Sequence, residues 1–272
     1  MNRLLHFAGL RRSGNHAIIN WLKQNVNPEG SEFLHYNNVY STRIPLSLQD
    51  IQDDVHKNTN ENLFVILSYE DVSLQIIPTL PTVVDQDSIL KKEERDTKTM
   101  ILLRDPFNSF ASRLELLRRY ERENIMSSIR NVPWQEVQEL WKGYAKEYLG
   151  QTSLLSNKVL VNFNQWNKDK AYRDELLKTH FGQEINNDIG RNTLSRDGGG
   201  SSKDLQSYDG RASEMKLEER WVDFVQDKEY RRLLDKETFV LSEQIFGHIP
   251  GTEILLNNGL SPEGYPKNKE RK

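Results

Sequence analysis

Short apolar runs rich in β-branched and aromatic residues recur along the first two thirds of the chain. They occupy residues 4–8, 33–36, 63–69, 99–103 and 159–163. Several of them are continuously hydrophobic, which is typical of strands buried on both faces. Helical periodicity separates or follows them at residues 17–24, 107–121, 134–149, 165–189 and 214–247. Strand-helix alternation of this kind predicts an α/β fold with an open, mainly parallel sheet of about five strands flanked by helices.

Length and composition narrow the class of protein. A chain of 272 residues predicts one α/β domain over residues 1–256, followed by a flexible tail over residues 257–272. No run approaches the roughly 18 apolar residues of a membrane span. The net charge of −3 disfavours a general nucleic-acid binder. The absence of cysteine excludes disulfides and thiolate metal sites, and it favours a cytoplasmic protein.

The first strand leads into a loop that has the glycine spacing of a phosphate-binding loop. Gly9 and Gly14 are separated as in the GxxxxG motif, yet Asn15 and His16 stand where Lys and Ser or Thr would follow. Because the metal-binding hydroxyl is missing, we expect an anion bound without a metal, through main-chain amides and guanidinium groups. The candidate ligands of this loop are Arg11, Arg12, Ser13, Gly14, Asn15, His16 and Ala17.

A second anion-binding element is predicted at the end of the strand at 99–103. Arg104 follows that strand, and Ser112 lies eight residues later in a predicted helix. A strand-end Arg and a Ser hydroxyl suit a second phosphate. The alternative is that Arg104 pairs with Asp105 or another carboxylate and that Ser112 only packs. Together with the first loop, this element indicates a ligand with two separated phosphate groups.

The ordered pair of elements resembles the sulfotransferase family that uses 3′-phosphoadenosine 5′-phosphosulfate, especially its bacterial and carbohydrate-acting members. In that family a P-[KR]-S-G-T-T loop binds the 5′-phosphosulfate. Arg12-Ser13-Gly14 matches this loop, with Arg11 in place of its Pro and Asn15-His16 in place of its Thr-Thr.

The second motif of that family is a strand that ends in Arg, with a Ser eight residues later, and it binds the 3′-phosphate. Arg104 and Ser112 match it at the same spacing, and the resemblance covers residues 4–24 and 99–120. It implies a fold similar to the P-loop NTPases and metal-independent transfer of a sulfuryl group to a hydroxyl, on a carbohydrate or a small metabolite. Arg12 would then stabilise charge on the leaving phosphate.

Glu70 is the candidate general base. It follows the strand at 63–69, at the predicted ligand-binding edge of the sheet, and the resembled family carries its His or Glu base at the corresponding place. Asp71 is the immediate rival, and His35 and His56 are further candidates. The structural alternative for this pair of acidic residues is that they cap a helix N-terminus.

A Gly/Ser-rich loop at residues 195–211 is a candidate cover for the nucleotide. Gly199 and Gly200 permit close approach of the backbone, and Ser201 supplies a hydroxyl. The resembled family closes a late loop containing Arg, Lys and Gly over the 3′-phosphate, and that string is absent here. A flexible linker is the alternative reading.

Two other function classes compete with sulfuryl transfer. One is a P-loop kinase or other NTP-dependent phosphotransferase, for which Asp105 is the candidate magnesium ligand. The other is a non-catalytic nucleotide-binding module that keeps the loop but has no working base. Neither the acceptor nor the oligomeric state follows from the sequence.

Overall fold

Five parallel strands form one sheet in the computed structural model, which describes residues 2–26, 32–40, 47–58, 62–91, 95–123, 133–183 and 207–256. The strands are β1 (Asn2–Gly9), β2 (Glu32–Tyr36), β3 (Leu63–Glu70), β4 (Arg95–Leu103) and β5 (Lys158–Asn162). Their order across the sheet is β2-β3-β1-β4-β5, and every neighbouring pair is parallel. The predicted fold class is therefore confirmed.

Helices cover both faces of the sheet. The α-helices are α1 (Asn15–Val26), α2 (Leu48–Lys57), α3 (Pro81–Val84), α4 (Gln86–Ile89), α5 (Pro106–Arg122), α6 (Trp134–Tyr148), α7 (Phe163–Lys168), α8 (Lys170–Phe181), α9 (Lys228–Arg232) and α10 (Lys236–Phe246). Short 3-10 turns lie at Ile77–Thr79, Ala212–Glu214, Arg220–Phe224 and Thr252–Leu255. In the parts of the chain that the structure describes, no helix is long and apolar enough to cross a membrane.

The strands are apolar on both sides because the sheet separates two hydrophobic cores. Along β3, Val65 and Leu67 pack into one core, and Phe64 and Ile66 pack into the other. Successive side chains of a strand point to opposite faces, so a strand between two cores must be apolar throughout. This explains the continuous hydrophobic runs in the sequence.

Some predicted boundaries were wrong. In the helical pattern at 165–189, the described residues form two helices, α7 and α8, because the Asp169 side chain accepts hydrogen bonds from Ala171 N and Tyr172 N and caps the start of α8. Between residues 214 and 227 the chain forms 3-10 turns rather than an α-helix. The predicted tail at residues 257–272 lies outside the described residues.

The sheet register brings the candidate residues to one edge. Gly9, at the end of central strand β1, is paired with Glu70 on β3 and with Leu102 on β4. The loop after β1 and the residues after β4 therefore begin on either side of a common crevice, as expected for ligand sites in open α/β sheets.

Glu147 anchors the connection between α6 and β5, and it provides a test of the fold. Its carboxylate is fully buried and accepts hydrogen bonds from four donors. Leu154 N and Leu155 N donate to Oε1 at 3.1 Å, Lys158 Nζ donates to Oε1 at 2.8 Å, and Thr152 Oγ1 donates to Oε2. Burial alone would raise the pKa of Glu147, but these donors outweigh burial and lower it to about 2. The charged carboxylate therefore stabilises the folded state.

Replacement Glu147→Gln is expected to lower the free energy of unfolding by about 2–4 kcal/mol at neutral pH. The folded-state pKa lies below the ordinary value of 4.5, so this stabilisation is complete above pH 4.5 and is lost as the pH falls toward about 2. Urea denaturation at several pH values measures it. Glu136→Gln, an exposed position on the same helix, is the control. Equal pH dependence of both variants would contradict the assignment.

Candidate functional site

The loop between β1 and α1 folds as a tight turn. Ser13 N donates to Leu10 O at 3.2 Å, and Ala17 N and Ile18 N both donate to Gly14 O. Arg12 has φ of 70° and Gly14 has φ of 98°, so the backbone passes twice through the left-handed region. Left-handed residues beside a helix N-terminus direct successive N–H groups toward one concave surface, where an anion is stabilised.

Gly14 is required by its surroundings as well as by its backbone. A Cβ atom at this position would lie 2.1 Å from Cε2 of Phe163, the first residue of α7. The loop therefore rests directly on an aromatic ring at the end of β5. The shape of the loop depends on this close approach.

Replacement Gly14→Ala is expected to lower the free energy of unfolding by about 3 kcal/mol, since it combines left-handed strain with a clash against a buried ring. Gly150→Ala is a matched control, because Gly150 has φ of 71° and nothing lies within 4 Å of an added Cβ. We expect the control to lose only about 1 kcal/mol. Urea denaturation of both variants tests this, and equal losses would show that the ring contact is unimportant.

Arg104 joins the second predicted element to the loop. Its side chain is 4% exposed. Nη1 donates to Arg12 O at 3.0 Å, Nη2 donates to Leu217 O at 2.5 Å, and Cζ lies 5.3 Å from the centre of the Phe163 ring. Arg104 thus holds the left-handed Arg12 residue in place.

Arg220 is a third guanidinium of this site, and it belongs to no motif of the sequence. Arg220 is buried, and its main-chain N–H donates to Asn108 Oδ1 at 2.9 Å, which fixes the backbone of this 3-10 turn against α5. Burial, and next the charge of Arg220, lower the pKa of Arg12 to about 10 and that of Arg104 to about 9. The three guanidinium groups therefore repel one another, and a bound anion would relieve that repulsion.

The face of α5 next to the loop carries small polar residues. Ser109 Oγ lies 3.5 Å from Ser13 Oγ, and Ser112 is buried further along the same helix. Ser109 was not predicted, because it belongs to neither motif. Its position shows that the first turns of α5 pack directly against the loop.

Asp105 caps α5. Its Oδ1 accepts from Asn108 N at 2.8 Å, and its Oδ2 accepts from Asn164 Nδ2 at 2.9 Å. The hydrogen bonds described for its carboxylate come from amide groups. The Arg104 guanidinium donates to main-chain oxygens, so the alternative pairing of Arg104 with Asp105 is not a hydrogen bond in the described structure, although the charge of Asp105 partly offsets the lowering of the Arg104 pKa by burial. The carboxylate serves helix capping.

Glu70 and Asp71 lie beside the loop but have different surroundings. Glu70 Oε1 accepts from Asn15 Nδ2 at 2.9 Å, and Oε2 lies 3.4 Å from Arg11 Nε. The Glu70 side chain is 14% exposed. A helix N-cap role for this pair is wrong, because the next helical turn begins only at Ile77.

Asp71 is held more tightly than Glu70. It accepts from Arg113 Nη1 at 2.8 Å and from Arg11 N at 3.0 Å, and its side chain is 5% exposed. Burial raises the pKa of Asp71, but the Arg113 ion pair and the Arg11 N–H outweigh burial and leave the pKa below its usual value. Asp71 therefore fixes the loop to α5, and Glu70 is the more accessible carboxylate.

The candidate histidines lie in different places. The rings of His16 and His35 are edge to face at 6.1 Å, and His35 Nε2 is 3.1 Å from Ser68 Oγ. His56 is exposed on α2. His6, which the sequence did not mark, is buried beside Tyr69, and burial lowers its pKa to about 4.

Gly199, Gly200 and Ser201, the predicted contacts from the Gly/Ser-rich loop, lie outside the described residues.

Within the described ranges, no group of three or more His, Asp or Glu side chains is arranged to hold a metal ion.

No known protein-family model and no curated protein matches the chain. One solved structure that is similar is the "Sulfotransferase Domain from the Curacin Biosynthetic Pathway". The identity is 13%, the TM-score is 0.47, and the match covers 92% of this chain and 99% of that chain. A similarity this distant establishes neither a family nor a reaction.

Proposed function

We propose that this protein is a sulfotransferase that moves the sulfuryl group of 3′-phosphoadenosine 5′-phosphosulfate to an acceptor hydroxyl. The observation that carries the proposal is the convergence of Arg12, Arg104 and Arg220 between an anion-binding loop and the start of α5. An anion bound between these guanidinium groups would offset their mutual repulsion. The match of Arg12-Ser13-Gly14 and of Arg104 and Ser112 to the two sulfotransferase motifs supports this donor.

The donor has a phosphate at each end of its ribose, and the two elements suit these ends. We assign the loop residues from Arg11 to Ala17 to the 5′-phosphosulfate, through helix N-terminal amides and the Arg12 guanidinium. Arg104 and Ser112 are assigned to the 3′-phosphate, with Arg220 as an added cation. Gly199, Gly200 and Ser201 remain predicted contacts of the nucleotide.

In the proposed reaction, the acceptor oxygen attacks sulfur in line with the leaving phosphate. A new S–O bond forms, the bond from sulfur to the bridging oxygen breaks, and its electron pair stays on the 5′-phosphate. Glu70 takes the proton of the acceptor hydroxyl. Arg12 stabilises the charge that develops on the bridging oxygen, and it does so electrostatically, since a guanidinium does not give up its proton.

The proposed acceptor is a carbohydrate or a small metabolite. Its hydroxyl must reach the open side of Glu70, next to the loop. A kinase has less support, since the carboxylate of Asp105, its candidate magnesium ligand, is hydrogen-bonded to Asn108 and Asn164.

Calorimetry tests the proposed donor. We expect 3′-phosphoadenosine 5′-phosphate to bind with an affinity that EDTA does not change, and ATP with Mg²⁺ to bind much more weakly. At a ligand concentration of about 100 times Kd, the bisphosphate should stabilise the fold by about 2.7 kcal/mol and raise Tm by about 5–10 °C. Binding of ATP with Mg²⁺ but not of the bisphosphate would overturn the proposal. A chain that binds the bisphosphate but transfers no sulfuryl group to any of a panel of hydroxyl acceptors would be the non-catalytic module.

A further inference from the structure

The side chain of Asn15 is oriented by two oxygen atoms. Its Nδ2 donates to Leu10 O at 3.2 Å and to Glu70 Oε1 at 2.9 Å. Asn15 is 4% exposed, so both amide protons are used inside the protein. The opposite orientation would place the amide oxygen against two other oxygens, which is unfavourable. The orientation of the amide is therefore fixed by its neighbours.

Gly9 provides the space that this orientation needs. A Cβ atom on Gly9 would lie 2.3 Å from Asn15 Oδ1. Gly9 does not have a positive φ, so its backbone conformation does not require glycine, and the three atoms nearest to an added Cβ all belong to the Asn15 side chain. Gly9 is also the strand partner of Glu70. Strand end, amide and carboxylate therefore form one packed unit.

We propose that Asn15 is a positioning residue for Glu70 and that its side chain is not a ligand of the donor phosphate. The catalytic part of this inference rests on the proposed sulfuryl transfer. The Asn15 amide binds Glu70 Oε1. The other oxygen, Glu70 Oε2, is therefore assigned to take the acceptor proton, and it lies 3.4 Å from Arg11 Nε. A fixed amide donor keeps the carboxylate in its productive orientation without touching the substrate. In the resembled motif this position is Thr, so the role belongs to this chain's own residue.

The contact itself is tested without any activity. Urea denaturation is measured for Asn15→Ala, for Glu70→Ala, which removes the acceptor oxygen, and for the double variant, and the effects of the single changes should not add. Gly9→Ala should lower the urea midpoint of the wild-type protein, because the added Cβ displaces the Asn15 amide. It should leave the urea midpoint of Asn15→Ala unchanged, because that variant has no amide to displace. Additive effects in both pairs would overturn the positioning contact. Asn25→Ala is the control on the same helix. The Asn25 amide donates to Trp21 O and contacts neither Gly9 nor Glu70 in the described hydrogen bonds, so its effect should add to theirs.

Catalysis is tested with the same variants. We expect Asn15→Ala and Gly9→Ala to lower kcat for sulfuryl transfer by about 10- to 50-fold, with affinity for 3′-phosphoadenosine 5′-phosphate within about threefold of the wild type. In the Glu70→Gln background, Asn15→Ala should have no further effect on kcat. Asn15→Asp should lower kcat more than Asn15→Ala does, since it places a second carboxylate against Glu70.

The outcomes separate this inference from the proposed function. Loss of bisphosphate affinity by tenfold or more in Asn15→Ala, with kcat unchanged, would make Asn15 a phosphate ligand and overturn the positioning role. If the wild-type protein neither binds the bisphosphate nor transfers the sulfuryl group, the proposed function fails. The unfolding measurements would then still decide whether Asn15 holds Glu70.

Discussion

Replacement Glu70→Gln is expected to lower kcat for sulfuryl transfer by about 100- to 10,000-fold, the usual contribution of a positioned general base. The amide has nearly the shape of the carboxylate, but it cannot accept the proton of the acceptor hydroxyl. Affinity for 3′-phosphoadenosine 5′-phosphate should stay within about threefold of the wild type, because Glu70 carries negative charge and is not expected to bind a phosphate. Steady-state kinetics and calorimetry measure the two quantities.

Glu243→Gln is the control for Glu70→Gln, since it makes the same change at an exposed position on α10. We expect its kcat to equal that of the wild type. A Glu70→Gln variant that keeps more than about a fifth of the wild-type kcat would exclude Glu70 as the base. Because the carboxylate of Asp71 is committed to Arg113 and Arg11 N, His35 and His16 would then be the next residues to change.

Replacement Arg104→Met is expected to weaken binding of 3′-phosphoadenosine 5′-phosphate by about 30- to 150-fold. This corresponds to about 2–3 kcal/mol, the value of hydrogen bonds between charged groups. Methionine fills much of the same apolar space against Phe163 but supplies neither charge nor donors. Affinity for adenosine 5′-phosphate, which lacks the 3′-phosphate, should change much less. Calorimetry with both nucleotides isolates the effect on the 3′-phosphate.

The chain offers a matched control for Arg104 in Arg173. Arg173 is 5% exposed, donates to Trp166 O at 2.5 Å and lies over the Trp166 ring at 6.0 Å, so its burial and contacts resemble those of Arg104. Both Met variants should lose stability, but only Arg104→Met should lose bisphosphate affinity. Equal affinity losses would mean that Arg104 acts through folding, and unchanged affinity would remove it from the 3′-phosphate site.

The sequence predicted the sheet well because strand signals are local. A run such as Leu63–Glu70 must be apolar on both faces when two cores enclose it, and that requirement is visible residue by residue. The turns of residues 73–91 were not predicted, since their hydrophobic residues, such as Ile77 and Ile89, occur in helical pieces too short for a periodic pattern. The same holds for the 3-10 turn that carries Arg220.

For the candidate site, the sequence predicted the elements but not their internal partners. Parallel strands end at one edge, so the loop after β1 and Arg104 after β4 were expected to meet, and the Arg104 bond to Arg12 O confirms that they do. Arg220 and Phe163 approach the site from distant parts of the chain, and no spacing rule connects them to the loop. Likewise, the ion pair of Asp71 with Arg113 depends on a contact between the residue that follows β3 and helix α5, which only the folded chain reveals.

For the proposed sulfotransferase, the Phe163 ring has a consequence for the choice of donor. One side of the ring excludes a Cβ at Gly14, and the Arg104 guanidinium lies over it at 5.3 Å. A flat ring with little freedom to deform therefore sets the span between the loop and Arg104 before any ligand arrives. The ring would thereby select donors by the distance between their two phosphate groups. A nucleotide whose phosphates lie closer together or further apart would reach Arg12 or Arg104 but not both. Discrimination between donors would then depend on a hydrophobic side chain that forms no bond with them.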